Sequence, residues 1–422
     1  MKKLFFTLTL CISFLSFSQH GLDNQVADIE SKVIEWRRDF HQNPELSNRE
    51  FKTAEKIAAH LESLGIDVQT GIAHTGVVGV LKGNNPGKVL ALRADIDALP
   101  VTERNDLAFK SNVKSTFDGK DVGVMHACGH DTHIAILMGV AEVLAKNKDK
   151  INGTIKFIFQ PAEEGAPEGE EGGAEMMVKE GVLKSPDVDA IFGLHIGSGQ
   201  PIGTIAYKSG GIMAASQTFK IVVNGKQSHG SRPWGGIDPI MISAKIIDGL
   251  QTIISRESNL TTEGAVITVG KIDSGVRSNI IPEKAEMIGT IRTLDYDMQK
   301  HINKRMSEMV PAIAKAYRAE ATIEIEKGYP ITFNDPDLTA KMLPSLEAVA
   351  GKERVFNIKA ITGAEDFSFF QKEVPGLYFF LGGKSTNTNE AFPHHTPDFI
   401  IDEAGMLLGV KAFIQLSIDY LK

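Results

Sequence analysis

Strands alternating with helices in the first and last parts of the chain predict an α/β protein built on a mostly parallel sheet. Between them, a β-α-β-β-α-β run predicts an inserted ferredoxin-like α+β domain. Ligand-type side chains follow several of the predicted strands. They assign the chemistry to the α/β part, because open parallel sheets bind ligands beyond the carboxyl ends of their strands. The length of 422 residues is too great for one ordinary core and fits two domains.

The elements follow in chain order. Lys2 and Lys3 precede an apolar run from Leu4 to Phe17, and Ser16-Phe17-Ser18 offers small residues where a signal peptidase reads. Residues 1–18 are therefore expected to be an export signal, cleaved after Ser18, leaving a periplasmic or extracellular protein that begins near Gln19. The run is short for a membrane span, and the bulky Leu10 before Cys11 argues against a lipid anchor. Loss of the signal leaves Cys128 as the single thiol, in a compartment where cysteines usually pair.

Lys32–Leu64 has helical spacing with a break at Pro44. Strands are expected at Val89–Arg93, Ile155–Phe159, Ala190–Leu194 and Leu377–Leu381, and a helix at Ile134–Leu144 capped by Asp131 or Thr132. The insert reads as strand Thr218–Val223, helix Pro239–Ile254, strands Ala265–Gly270 and Ala285–Ile291, helix Met298–Tyr317 and strand Ala321–Ile325. This places the catalytic domain at 19–211 and 329–422 and the insert at 212–328.

A composition of 42% hydrophobic and 23% charged residues is that of a packed globular protein. The formal net charge of -8 argues against nucleic acid or an anionic membrane as partner.

The predicted strand ends carry the chemistry. Asp95 and Asp97 follow the first strand, Glu163-Glu164 the second and His195 the third, while Met125–His133 supplies Cys128, His130 and His133. Cys-x-His suits a divalent metal through sulfur and imidazole nitrogen. Each piece also has a plainer reading: a buried thiol, a solvated acid pair, a satisfied core histidine, and a surface turn at His394-His395. A nucleophilic Cys128 paired with a histidine is the rival chemistry. The surplus of carboxylates and imidazoles argues against it.

Leu92–Pro100, Met125–Asp131, Gln160–Glu164, Gly193–His195 and His395–Phe399 together resemble the motifs of the M20 metallopeptidase clan. The branch resembled is that of the auxin-conjugate, hippurate and N-acyl amino acid amidohydrolases, and the likeness runs from Ile34 to the end. It implies a catalytic domain of zinc-peptidase type with an inserted dimerisation or lid domain. It implies two divalent ions (zinc, manganese or cobalt) held by Cys128, His130, Glu164, His195 and His395. Glu163 is implied as general base, His229 in Gln227–Gly230 as the group meeting the substrate carbonyl, and Asn279 as a substrate-binding residue. A small N-acyl amino acid substrate and a homodimer follow from the same resemblance. A dipeptidase or carboxypeptidase of the clan is the sibling reading, and an exported binding protein without turnover is the alternative of another class. Two departures stand out. Asp95 occupies a place where the clan's peptidases carry His, which makes Asp95 and Asp97 supporting residues. The acidic segment Ala166–Ala174 lengthens the rim of the site.

Overall fold

The computed structural model describes residues 24–387 and 390–422; the expected signal segment lies outside them. The chain divides into two compact units. One runs to Ser209 and resumes at Asn334–Ile358 and Phe369–Lys422; the other takes Gly210–Phe333 and Lys359–Ser368. The insert is therefore wider than the expected 212–328, and it reclaims a short return segment from the expected catalytic domain. Backbone pairing explains this. Met213 bridges Ile361, the Ile361 amide donates to the Ile212 carbonyl at 3.0 Å, and the Ala214 amide donates to the Gly363 carbonyl at 2.8 Å.

The catalytic unit is built on an eight-stranded sheet in the order Asp67–Ile72, Gly76–Lys82, Asn152–Gln160, Asn85–Asp95, Ala190–Pro201, Gly376–Lys384, Ile205–Tyr207, Val355–Asn357. The four strands from Asn152–Gln160 to Gly376–Lys384 run parallel, and the hairpin Asp67–Lys82 joins their side antiparallel. The expected strands lie in this parallel centre. Continuous apolar runs form there because both faces are covered: Leu90, Ala91, Leu92, Ile155, Phe157 and Phe159 are fully buried. Arg93 ties two parallel strand ends together, with Nη1 2.6 Å from Asp95 and Nε donating to Gln160 at 2.8 Å.

The expected helix at 134–144 is longer, His130–Lys146, and almost wholly buried. It packs against the helices Glu30–Gln42 and Met406–Tyr420. Its start differs from expectation. Neither Asp131 nor Thr132 caps it; the cap is Gly129, whose φ of +95° only glycine adopts readily. The Asp131 carboxylate instead accepts from the Thr132 amide at 2.9 Å and pairs with Arg37 and His41. The Pro44 break separates the helices Glu30–Gln42 and Phe51–Ser63.

The insert has its own core, in which Phe219, Ile246, Met287, Ile302 and Val310 are buried. Its four antiparallel strands stand in the order Ala265–Ser274, Lys284–Thr293, Ala215–Asn224, Glu320–Ile325, and two helices, Pro239–Thr252 and Tyr296–Ala316, pack on them. In chain order the strands are second, third, first, fourth, the ferredoxin-like arrangement. Asp238 caps the first helix on Ile240 and Met241, and Asp295 caps the second on Met298.

Candidate active site

Asp95 and Gln160 close their parallel strands; His195, expected just after a strand, instead stands inside the longer strand Ala190–Pro201, two residues beyond where its pairing with Asn85–Asp95 stops, and the Cys128–His130 loop brings the thiol to the same place. Ligand atoms of Cys128, His130 and Glu164 lie within 4.8 Å of one another. The Cys128 Sγ is 3.3 Å from His195 Nε2 and 3.3 Å from His395 Nε2, and His395 Nε2 is 3.0 Å from Glu164 Oε1. The other four residues that the motifs single out as ligands thus gather around the Cys128 thiol.

The second nitrogens of these imidazoles reveal which are available to an ion. His130 Nδ1 donates to the Asp97 carbonyl at 2.9 Å, and His195 Nδ1 to the Ile196 carbonyl at 2.8 Å. Each leaves Nε2 facing the cluster, and the buried His130 Nε2 has no hydrogen-bond partner. An orphaned nitrogen among carboxylates is what a cation would satisfy. His133 and His394 also stand close, but both their nitrogens are engaged. His133 Nδ1 donates to Asp95 at 2.6 Å while Nε2 accepts from the Ile196 amide at 2.8 Å. His394 Nδ1 donates to the Cys128 carbonyl at 3.2 Å while Nε2 accepts from the Ser198 amide at 3.2 Å. Both are struts. The pair His394-His395 does stand in a turn, with His395 exposed, but both rings reach into the cluster and divide its labour.

Charge points the same way. Burial opposes protonation of His130, yet Asp95, the hydrogen bond to Asp97, and Glu164 push its pKa up to about 10. Burial first, then Glu164 and Glu163, hold the Cys128 thiol well above its ordinary range. Burial, then His133 and His394, keep His195 well below its own, so that its ring is neutral and fit to ligate. The site is starved of positive charge, and the side chains fit a pair of divalent ions. A raised thiol argues against a nucleophilic Cys128.

Backbone strain marks the same spots. Ala162 (φ 51°), just before the acid pair, and His395 (φ 62°) both occupy the left-handed region that side chains avoid. Asp97, read from sequence as a supporting residue, accepts from Ser47 Oγ at 2.8 Å and the Glu164 amide at 3.0 Å besides facing His130. The acidic rim segment is pinned: Glu170 meets Arg49 Nη2 at 2.5 Å, and the Glu171 carbonyl accepts from Asn48 at 3.0 Å. Under the helix start lies a buried ionic group that motif reading missed. Arg37 and His41 flank Asp131 at 2.8 and 2.9 Å, and His41 Nε2 is 3.1 Å from Glu103. No spacing in the sequence announces it.

The two remaining site candidates sit together in the insert. His229 pairs with Ile280 in a short ladder, and the Gly230 amide donates to the Asn279 carbonyl at 2.8 Å. His229 and Asn279 are both exposed. The Ser231 amide donates to His229 Nδ1 at 3.1 Å, so in the neutral ring the proton is on Nε2.

An acid pair beside a cluster of thiol and imidazole ligands, at the carboxyl ends of a parallel sheet, defines a metal-dependent hydrolase site. The model of Peptidase family M20/M25/M40 matches residues 91–418, and the chain belongs to that family. It is 44% identical over 401 residues to thermostable carboxypeptidase 2 of Saccharolobus solfataricus, covering 94% of this chain and 98% of that protein. It is 36% identical over 395 residues to N-acetylcysteine deacetylase of Bacillus subtilis, covering 93% and 97%. The crystal structure of the Bacillus subtilis YXEP protein, a dinuclear metal-binding peptidase from the M20 family, is similar with a TM-score of 0.79 and 34% identity, covering 94% and 99%. The chain is accordingly a hydrolase acting on amide bonds, which removes the reading as a binding protein without turnover.

Proposed function

We propose that the protein hydrolyses the amide bond of N-acylated amino acids at a site holding two divalent ions. The observation that carries this reading is the set of imidazole Nε2 atoms of His195 and His395 around the Cys128 thiol, next to an acid pair on a strained turn. Cys128, His130, Glu164, His195 and His395 would hold the ions, zinc, manganese or cobalt. When bound, the ions polarise the scissile carbonyl and lower the pKa of water towards about 7. Glu163 takes the proton of the attacking water and delivers it to the departing amino group. The Nε2–H of His229 donates to the developing oxyanion, and Asn279 helps hold the substrate.

The relative named as a deacetylase supports the acyl amino acid reading, and Asp95 in place of a histidine favours it over di- and tripeptidases. The more similar relative named as a carboxypeptidase supports a second reading, release of a carboxyl-terminal residue from a peptide. One panel separates them: acetyl- and benzoyl-amino acids against dipeptides and blocked dipeptides, each with and without chelator. Chelator-sensitive turnover of the acyl amino acids is expected to be fastest. Faster turnover of the blocked dipeptides would replace this reading with the second.

Two further proposals concern the whole protein. The Lys2-Lys3 start and the apolar run to Phe17 support export, and mass spectrometry of the native protein should find Met1 removed. The exposed Ile240, Met241, Val266 and Ile272 and the outer strand Ala265–Ser274 support pairing of two copies through the insert. Light scattering should give twice the chain mass; a fully active monomer would remove this proposal.

A further inference from the structure

The acid pair stands on a turn whose amides are held from outside. Pro161 has no N–H, and the next amide, Ala162, donates to the Glu50 carboxylate (Oε1) at 2.9 Å. Two residues on, the Glu164 amide donates to Asp97 Oδ2 at 3.0 Å. Glu163 is thus flanked on both sides by amides fixed to buried carboxylates.

Glu50 is fully buried, and its second oxygen accepts from Thr75 Oγ1 at 2.6 Å. It is the residue just before the helix Phe51–Ser63, and its side chain makes no capping bond to that helix. Both oxygens are committed elsewhere, one of them to a residue in the left-handed region at φ 51°. The same loop also supplies Ser47, whose hydroxyl donates to Asp97. The segment that breaks at Pro44 is therefore a cradle beneath the acid turn, directly through Glu50 and indirectly through Ser47 and Asp97.

We infer that Glu50 is a positioning residue for the base: by accepting the Ala162 N–H it holds the left-handed turn that aims Glu163. The inference rests on the reading of Glu163 as general base. Glu50 hydrogen-bonds Thr75 and the Ala162 amide, not Glu163 or the ligand side chains, so it acts through the turn.

The test uses the metal-loaded protein and the fastest substrate of the panel above, with metal content measured alongside. Glu50→Ala should lower kcat about 10- to 100-fold, the penalty of a small misplacement of a catalytic group, with KM and metal content within about twofold of wild type. Glu50→Gln keeps an oxygen for the Ala162 amide and should recover most of the loss. Thr75→Val loosens Glu50 without removing it and should show a smaller effect of the same kind. In a Glu163→Gln background, Glu50→Ala should add almost nothing, because it acts through the base. An unchanged kcat in Glu50→Ala overturns the inference. So does loss of metal in proportion to activity, a glutamine no better than alanine, or full additivity with Glu163→Gln. If Glu163→Gln itself stays fully active, it is the assignment of the base that fails.

Discussion

Gly129 separates two proposed ligands, and its replacement by alanine tests whether local backbone geometry assembles the site. Two costs can be read from the structure. At φ +95° a side chain enters a region disfavoured by about 1–2 kcal/mol for L-residues. The new Cβ would lie 2.3 Å from Ile196 Cγ2, where carbon contacts are normally about 3.5–4.0 Å. Ile196 is fully buried and has no room to retreat, so overpacking adds about 1–3 kcal/mol. Gly129→Ala should therefore lose about 2–5 kcal/mol of the catalytic unit's stability. Metal affinity should fall about 10- to 100-fold, since a displaced support is felt by the ligands. The two tryptophans make the assay clean. Trp36 packs on the catalytic core while Trp234 is 78% exposed in the insert, so a Trp234→Phe background lets fluorescence follow urea unfolding of the unit that matters. Ile196→Ala removes the clashing group; in the double variant the steric part should vanish and about 1–2 kcal/mol should persist. If Gly129→Ala unfolds within about 0.5 kcal/mol of its parent and binds metal equally well, the conformation of Gly129 does not govern the site.

Four shorter predictions accompany it. Glu163→Gln should keep both metals and lose about 10²- to 10⁴-fold in kcat, whereas Glu164→Gln should lose metal with activity and regain some of both when metal is added; atomic emission beside kinetics would expose reversed roles. Cys128 should resist alkylation in the loaded protein and react once metal is stripped, and equal labelling rates would deny it a place among the ligands. His395→Ala should lower metal content more than His394→Gln, since the His394 nitrogens are engaged by backbone; metal analysis showing the reverse would exchange their roles. Burial works against a charged His41, but hydrogen bonds to Asp131 and Glu103 raise its pKa in the folded state. Its stabilisation is therefore complete below the unfolded value near 6.5 and is lost as pH rises through the folded value, so His41→Gln should flatten the fall of urea stability above neutrality.

Much of the site was legible because its chemistry depends on residue type. Thiol, imidazole and carboxylate side chains are scarce in apolar strand contexts, so Cys128, His130, Glu163-Glu164 and His195 stand out within or just after buried runs. The insert was legible for another reason: the period of two in Thr218–Val223 and Ala285–Ile291, and the helical spacing of Met298–Tyr317, are local properties that the sheet order of the folded domain repeats.

Other features depend on which atoms meet across long separations, and no local pattern encodes that. Both His394 and His395 reach the thiol, and which of them has its second nitrogen tied up by the Ser198 amide, some two hundred positions earlier, is decided by the folded backbone. That Glu50 serves a turn 112 residues away, not its own helix, follows only from the packing of the Pro44 loop under the sheet end. The return of Lys359–Ser368 to the insert is likewise a matter of backbone pairing, which any sequence of suitable size can satisfy. Sequence by itself determined the elements, the reactive side chains and the family. Tertiary structure decided which nitrogens and carboxylates are engaged and which are left over, because hydrogen-bond saturation is a property of the assembled interior.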